Sequence, residues 1–170
     1  MTRYFFILML VSMLAVSGCG KSRQEKMAEK AIETQTGGQA DVNLDKQQMT
    51  IETREGDKMQ VAGGEEGLKV PADFPKDIYV YPGAKVEASF KSNDNVQLHL
   101  STADPVAKVI EQYQAQLKKE GWEEKTVTQT ADNSMIEYAK DSRTVIVNAS
   151  AEGKQTKIMI MINKEEEQSA

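Results

Sequence analysis

From Lys85 onward the chain alternates apolar and polar residues with a period of two, broken by a single stretch of different rhythm. "KVEASFKS" sets Val86, Ala88 and Phe90 on one side and Lys85, Glu87, Ser89 and Lys91 on the other. "VQLHLS" repeats the pattern with Val96, Leu98 and Leu100. Successive strand side chains point to opposite faces, so this alternation calls for a sheet with one buried face. "NDN" at 93–95 supplies a hairpin turn between the two runs.

The break is helical. Val106, Val109, Ile110, Tyr113 and Leu117 recur at i, i+3, i+4, i+7 and i+11, one face of a helix. Asp104 suits the N-cap and Pro105 the first helical position. Lys118 and Lys119 complement the negative helix end, and Gly121 marks the stop. Four more strands follow, over about 123–130, 134–140, 144–151 and 156–163, with turns at "ADN", "KDSR" and "EGK". Ile158, Ile160 and Ile162 face one way in the last strand, and Met159 and Met161 the other. The two methionines offer either a pliable binding surface or filler for an irregular contact.

The expected class is therefore α+β. A small helix-plus-β-meander module precedes a ββαββββ module, an antiparallel sheet with one packed helix. In the first module Met27, Ala28, Ala31 and Ile32 make a narrow apolar stripe on a helix over about 24–36, which Gly37-Gly38 ends. "ADVNLD", "QQMTIETRE" and "KMQVA" read as three short strands. Too few apolar residues stand here for an independent core, so this module is expected to dock on the second or on a partner. Residues 1–18 form a leader, 19–26 a spacer, 27–62 the small module, 63–84 a Gly/Pro-rich linker, 85–163 the main domain and 164–170 a polar tail. Phe74, Tyr79, Tyr81, Tyr113 and Trp122 could line a groove, though core packing and module docking account for them more simply.

The leader carries the location. Met1-Thr2-Arg3 is short and basic, Tyr4 to Val16 ("YFFILMLVSMLAV") is apolar, and Ser17-Gly18 are small. That order is a secretory signal, too short for a bilayer span of about 20 apolar residues. Cys19 is the only cysteine, so it has no intramolecular disulfide partner. Val16-Ser17-Gly18-Cys19 resembles the lipobox of bacterial lipoproteins, with Val16 where leucine is commoner. The resemblance implies cleavage before Cys19 and lipid on its thiol. Gly20, in place of a retaining aspartate, implies the outer membrane facing the periplasm, with the outer face of the inner or plasma membrane as the alternative. "FPKDIYVYPGAKV" with "YQAQLKKEGW" resembles small bacterial envelope lipoproteins, a likeness that brings no activity with it.

Charge and chemistry narrow the function. Lys and Arg number 21, one of them Arg3 in the leader, against 26 Asp and Glu. This balance disfavours nucleic acid as a partner and argues against a basic surface that seeks anionic headgroups. His99, the only histidine, falls on the polar side of its strand as a solvated residue, with no nucleophile signature nearby. No spacing calls for a metal or cofactor: "SNDNV" at 92–96 is a turn and lacks the plan of a calcium loop. The reading is a noncatalytic, lipid-anchored envelope module, attached through Cys19, that binds another envelope protein. The alternatives are a carrier or sensor of an apolar small molecule held between helix and sheet, or a hydrolase.

Overall fold

The computed structural model describes residues 22–164. The leader, Cys19 and the tail beyond Lys164 lie outside the described residues. Within them the fold is α+β, built on one antiparallel nine-stranded sheet in the order β1-β2-β3-β4-β5-β9-β8-β7-β6. Helix α1 (Arg23–Thr36) leads into the meander β1 (Gln39–Asn43), β2 (Gln48–Glu52) and β3 (Lys58–Ala62). After the linker come β4 (Lys85–Ser92), β5 (Asn95–Thr102) and helix α2 (Val106–Lys119). The meander β6 (Glu123–Gln129), β7 (Asn133–Lys140), β8 (Arg143–Glu152) and β9 (Gln155–Lys164) starts at the far edge and returns to pair with β5.

The core forms where the alternation predicts it. Leu98, Leu100, Ile136, Tyr138, Val145, Val147, Ile158 and Ile160 share one face of the sheet, and all are at most 1% exposed. Val106, Val109, Ile110, Tyr113 and Leu117 of α2 close over them and are buried in turn. The linker straps this layer down with Phe74, Ile78 and Tyr81. Its anchor is ionic as well as apolar. Arg143 grips Asp77 with both terminal nitrogens, at 3.1 and 2.6 Å, and its guanidinium lies 5.0 Å above the Trp122 ring. The Trp122 indole donates to the Asp77 carbonyl at 3.2 Å.

The strap also carries a tyrosine cluster. Tyr79 meets Tyr113 edge to face at 5.2 Å, while Tyr79 and Tyr81 donate to Gln112 and Asp104. The Tyr113 hydroxyl is fully buried without a hydrogen-bond partner. An unsatisfied buried hydroxyl costs about 1–3 kcal/mol. Tyr113→Phe is therefore expected to leave stability unchanged or raise it by about 1 kcal/mol, read as the urea midpoint.

One expectation, docking of the small module, is met by a specific route, and three others change in detail. The small module joins the main domain by backbone pairing: β3 runs antiparallel to β4, with Met59 opposite Phe90 and Val61 opposite Ala88. A meander with few apolar residues thus gains its support from sheet hydrogen bonds. Asp104 is not the N-cap of α2; Pro105 is, and it makes no side-chain cap bond. The Asp104 carboxylate is engaged instead by the Tyr81 hydroxyl at 2.7 Å and by Lys108 at 2.9 Å.

The inward set of β4 also differs. Its register to β5 shifts between Val86 and Ala88, a bulge that inserts one extra residue and reverses the parity beyond it. Val86 stays inward, Ser89 takes the next inward place and is buried, and Ala88 and Phe90 pass to the opposite face. Lastly, of the expected α1 stripe only Ala28 and Ile32 are half-buried, while Met27 and Ala31 are exposed. The helix meets β1 with glutamates, whose carboxylates accept backbone N–H groups of that edge strand.

Candidate functional site

Two features are candidates for binding: the sheet face away from α2, and a cleft beneath the linker. The face follows from the register. Opposed residues share a side, so the chain of pairs from Met135 to Asn148 to Met159 to His99 to Ala88 stays on one face. Ile146 and Met161 stand on it, as do Phe90, Met59, Ile51, Met49, Val61 and Val42. The chain has nine methionines, of which Met1, Met9 and Met13 lie outside the described residues. Five of the remaining six, Met49, Met59, Met135, Met159 and Met161, occupy this one face, each half-buried.

Helix α2 does not cross that face, but the β1–β2 end of the face, beside α1, is covered, with Val42 7% and Ile51 6% exposed. Helix α2 packs on β6, β7 and β8 from the other side, and α1 lies along β1. Methionine is unbranched and polarizable, so a row of methionines adapts to the contour of a partner. At one end the face is bounded by charge. Lys157 bridges both Glu87 carboxylate oxygens at 2.7 and 2.9 Å, and Ser101 donates to Glu87 at 2.8 Å.

His99 sits within this apolar surround. It is half-buried, with its ring 5.6 Å from Phe90, so the expectation of a solvated residue does not hold. The bulge causes this by delivering Phe90 and Ala88 to the histidine's side. Burial pushes the imidazole below its ordinary value against the pull of the Glu87 carboxylate. It is uncharged at neutral pH and adds to the apolar character of the face.

The cleft holds about 730 Å³ between the strap and strands β2 to β4. Lys46, Lys58, Lys69 and Lys91 line it with Gln48, Gln60, Ser89 and Asp73. Asp73 pairs with Lys91, whose hydrogen bond holds the carboxyl below the usual range. Leu68, Val70 and Pro71 add apolar walls to this cleft, and it is open rather than the enclosed apolar cavity that a carrier of greasy ligands requires. Between helix and sheet, where that cavity was expected, stand the fully buried side chains of α2 and β5 to β9. Phe74, Tyr81, Tyr113 and Trp122 are likewise core, not groove. Among the described residues no group of three or more His, Cys, Asp or Glu is placed to hold a metal ion.

The ion pairs fix the pH response. The Arg143 hydrogen bonds hold Asp77 below its usual range. Burial pushes Glu87 up, but the Lys157 and Ser101 hydrogen bonds outweigh it and leave a net lowering. Asp73, Asp77, Glu87 and His99 all have depressed folded values, so the unfolded chain binds more protons as pH falls. Stability from these groups is whole above their unfolded values. It is lost first below the ordinary histidine value of 6.5 and then through the carboxylate range. The urea midpoint is expected to be lower at about pH 4 than at about pH 7.5.

Sequence reading noticed Met159 and Met161 but did not join them to Met49 and Met59. Alternation within each segment gives parity; it gives neither the strand order nor the bulge that places the segments on a common face.

Comparison with known proteins bears on this architecture. Residues 85–166 match a family model described as START domain-like, just under half of the chain. No curated protein matches. Among solved structures the chain is similar to the solution structure of cyanobacterial PsbP (CyanoP) from Synechocystis sp. PCC 6803. The TM-score is 0.39 at 8% identity, covering 90% of this chain and 87% of that one. Among the described residues no helix is long and apolar enough to cross a membrane. From β4 to β9, then, the chain is similar to a START-like domain, in keeping with a small binding or accessory module.

Proposed function

We propose that this chain is a noncatalytic module, lipid-anchored at Cys19 in the cell envelope, that binds a partner protein through its methionine-rich sheet face. The observation that carries the binding role is the gathering of five methionines with Phe90 and Ile146 on the sheet face away from α2. Large apolar patches on small domains mark interaction sites. The START-like match over residues 85–166 supports a binding or accessory role. Support for the anchor comes from the order of charge, apolar run, small residues and cysteine in the leader.

Site-specific photocrosslinking in intact cells tests the binding role. A photoreactive residue at Met59 or Met159 is expected to capture a discrete envelope protein, while one at Lys154, at the exposed β8–β9 turn, captures none. Met161→Glu is expected to reduce capture about tenfold or more, because a carboxylate must be desolvated against an apolar partner. Capture equal at all three positions, or none at Met59 and Met159, would remove the proposed surface.

A further inference from the structure

Helix α1 sorts its charges by side. Glu25, Glu29 and Glu33 are its only acidic residues, and all three face β1. They accept the N–H groups of Leu44, Val42 and Ala40 at 2.9, 2.9 and 3.3 Å. The match is geometric: four helical residues rise about 6 Å, and two strand residues about 6.7 Å. These carboxylates cover an edge that would otherwise be open to another strand.

Pinning the glutamates inward fixes what points outward. At about 100° per residue, Met27 and Ala31 lie opposite Glu29, Arg23 and Lys30 flank them, and Lys26 lies about 60° from Glu29 at the margin of the exposed surface. All five are exposed, Met27 at 61%. The exposed surface of α1 therefore sets a methionine and an alanine beside Arg23 and Lys30, with Lys26 at its margin. Basic residues flanking an apolar strip are what an interfacial helix presents to lipid. On the lipid-anchor reading, on which this inference rests, only Gly20, Lys21 and Ser22 separate Cys19 from Arg23. Four residue steps span at most about 14 Å, so the first turn of α1 is held at the depth of the headgroups.

We infer that the outward side of α1 docks on an anionic phospholipid surface. Arg23, Lys26 and Lys30 meet the phosphates, and Met27 and Ala31 rest at the boundary with the acyl chains. The glutamate side cannot take this role, because β1 already occupies it. The chain as a whole carries a net charge of −5, which such a surface repels, so α1 is the side that approaches and the rest of the domain is held away. Net charge alone argues against a lipid-seeking basic surface; the sorting of charge across one helix reverses that locally.

The test uses the full chain, purified from membranes and reconstituted in vesicles of phosphatidylcholine with or without phosphatidylglycerol. Met27→Cys, and separately Lys154→Cys, carries a fluorescent thiol label that lipid-borne quenchers report on. One labelled thiol per chain is expected, since Cys19 bears lipid; two would overturn the anchor and this orientation with it. With one label, the Met27 position is expected to be strongly quenched in anionic vesicles and the Lys154 position not. Replacing Arg23, Lys26 and Lys30 together by Gln is expected to lower the docked fraction about tenfold or more. Raising salt to about 1 M, where the Debye length is about 3 Å, is expected to act the same way. Hydrogen exchange at Ala40, Val42 and Leu44 checks that the Gln variant keeps α1 on β1. One label with an unquenched Met27 position would leave the anchor standing and overturn the docking. Quenching equal in both lipids and in the Gln variant would overturn the role of charge.

Discussion

Cells that make the Cys19→Ala chain are expected to incorporate no labelled fatty acid into it and to release it from the membrane once the leader is cut. Tyr4 to Val16 is too short to span a bilayer, and no described helix can replace it. On the proposed anchor, retention falls to the lipid. Each buried methylene contributes about 0.8 kcal/mol, so two acyl chains hold firmly where one is marginal. The exposed surface of α1, with three cations and one large apolar residue, is far weaker than an acyl pair and cannot hold the chain alone. The lipid label is the deciding measurement, because a leader left uncut could itself delay release. Undiminished fatty-acid labelling of Cys19→Ala would show that the lipid, if present, sits elsewhere.

Leu98→Ala is expected to cost about 2–5 kcal/mol, the range for a leucine truncated in a close-packed core. Leu98 is 0% exposed and lies on β5 between β4 and β9, opposite Ser89 on one side and Ile160 on the other. Backbone pairing on both sides prevents the strand from collapsing into the space left behind. A domain of this size has about 5–15 kcal/mol in total, so the loss is a large share of it. The melting temperature is expected to fall by roughly 10 °C. Met159→Ala, on the neighbouring strand but the opposite face, is the control. Half-buried on the face away from α2, it is expected to cost about 1 kcal/mol or less in stability. Equal losses from the two variants would mean that a packed layer covers the methionine face as well. That result would count against the docking surface as well as the stability estimate.

The contrast between these two residues marks how far local pattern reaches. Leu98 and Leu100 are inward by alternation alone, and the five apolar residues of α2 are inward by helical spacing; all of them are core. Both periods come from backbone geometry shared by every strand and helix, so a few consecutive residues suffice to read them. Turns are legible for the same reason. Asn93 and Asp141 adopt left-handed backbone at φ 51° and 53°, and each opens a two-residue hairpin loop. Gly121, at φ +82°, stops α2 where a side chain would strain the backbone.

Parity along β4 was not legible. Val86, Ala88 and Phe90 alternate without fault, yet the bulge after Val86 turns two of them over. A bulge arises from the fit of one strand to its neighbour, and neither strand specifies it alone. The same holds for Asp104. Its type and position suit a helix cap, but Tyr81, 23 residues earlier, competes for the carboxylate.

Helix α1 is the sharper instance. Its apolar residues promised a buried stripe; only Ala28 and Ile32 turn partly inward, and β1 takes the glutamates, because an edge strand has unpaired N–H groups for carboxylates to satisfy. The sequence by itself determined the elements, the turns and the main core. Only the tertiary structure decided which strands are neighbours, which face gathers the methionines, and which side of α1 is left to solvent. Periodicity is a property of a few adjacent residues, whereas these choices depend on hydrogen bonds and contacts between segments far apart in the chain. Those interactions have no energy until the sheet closes.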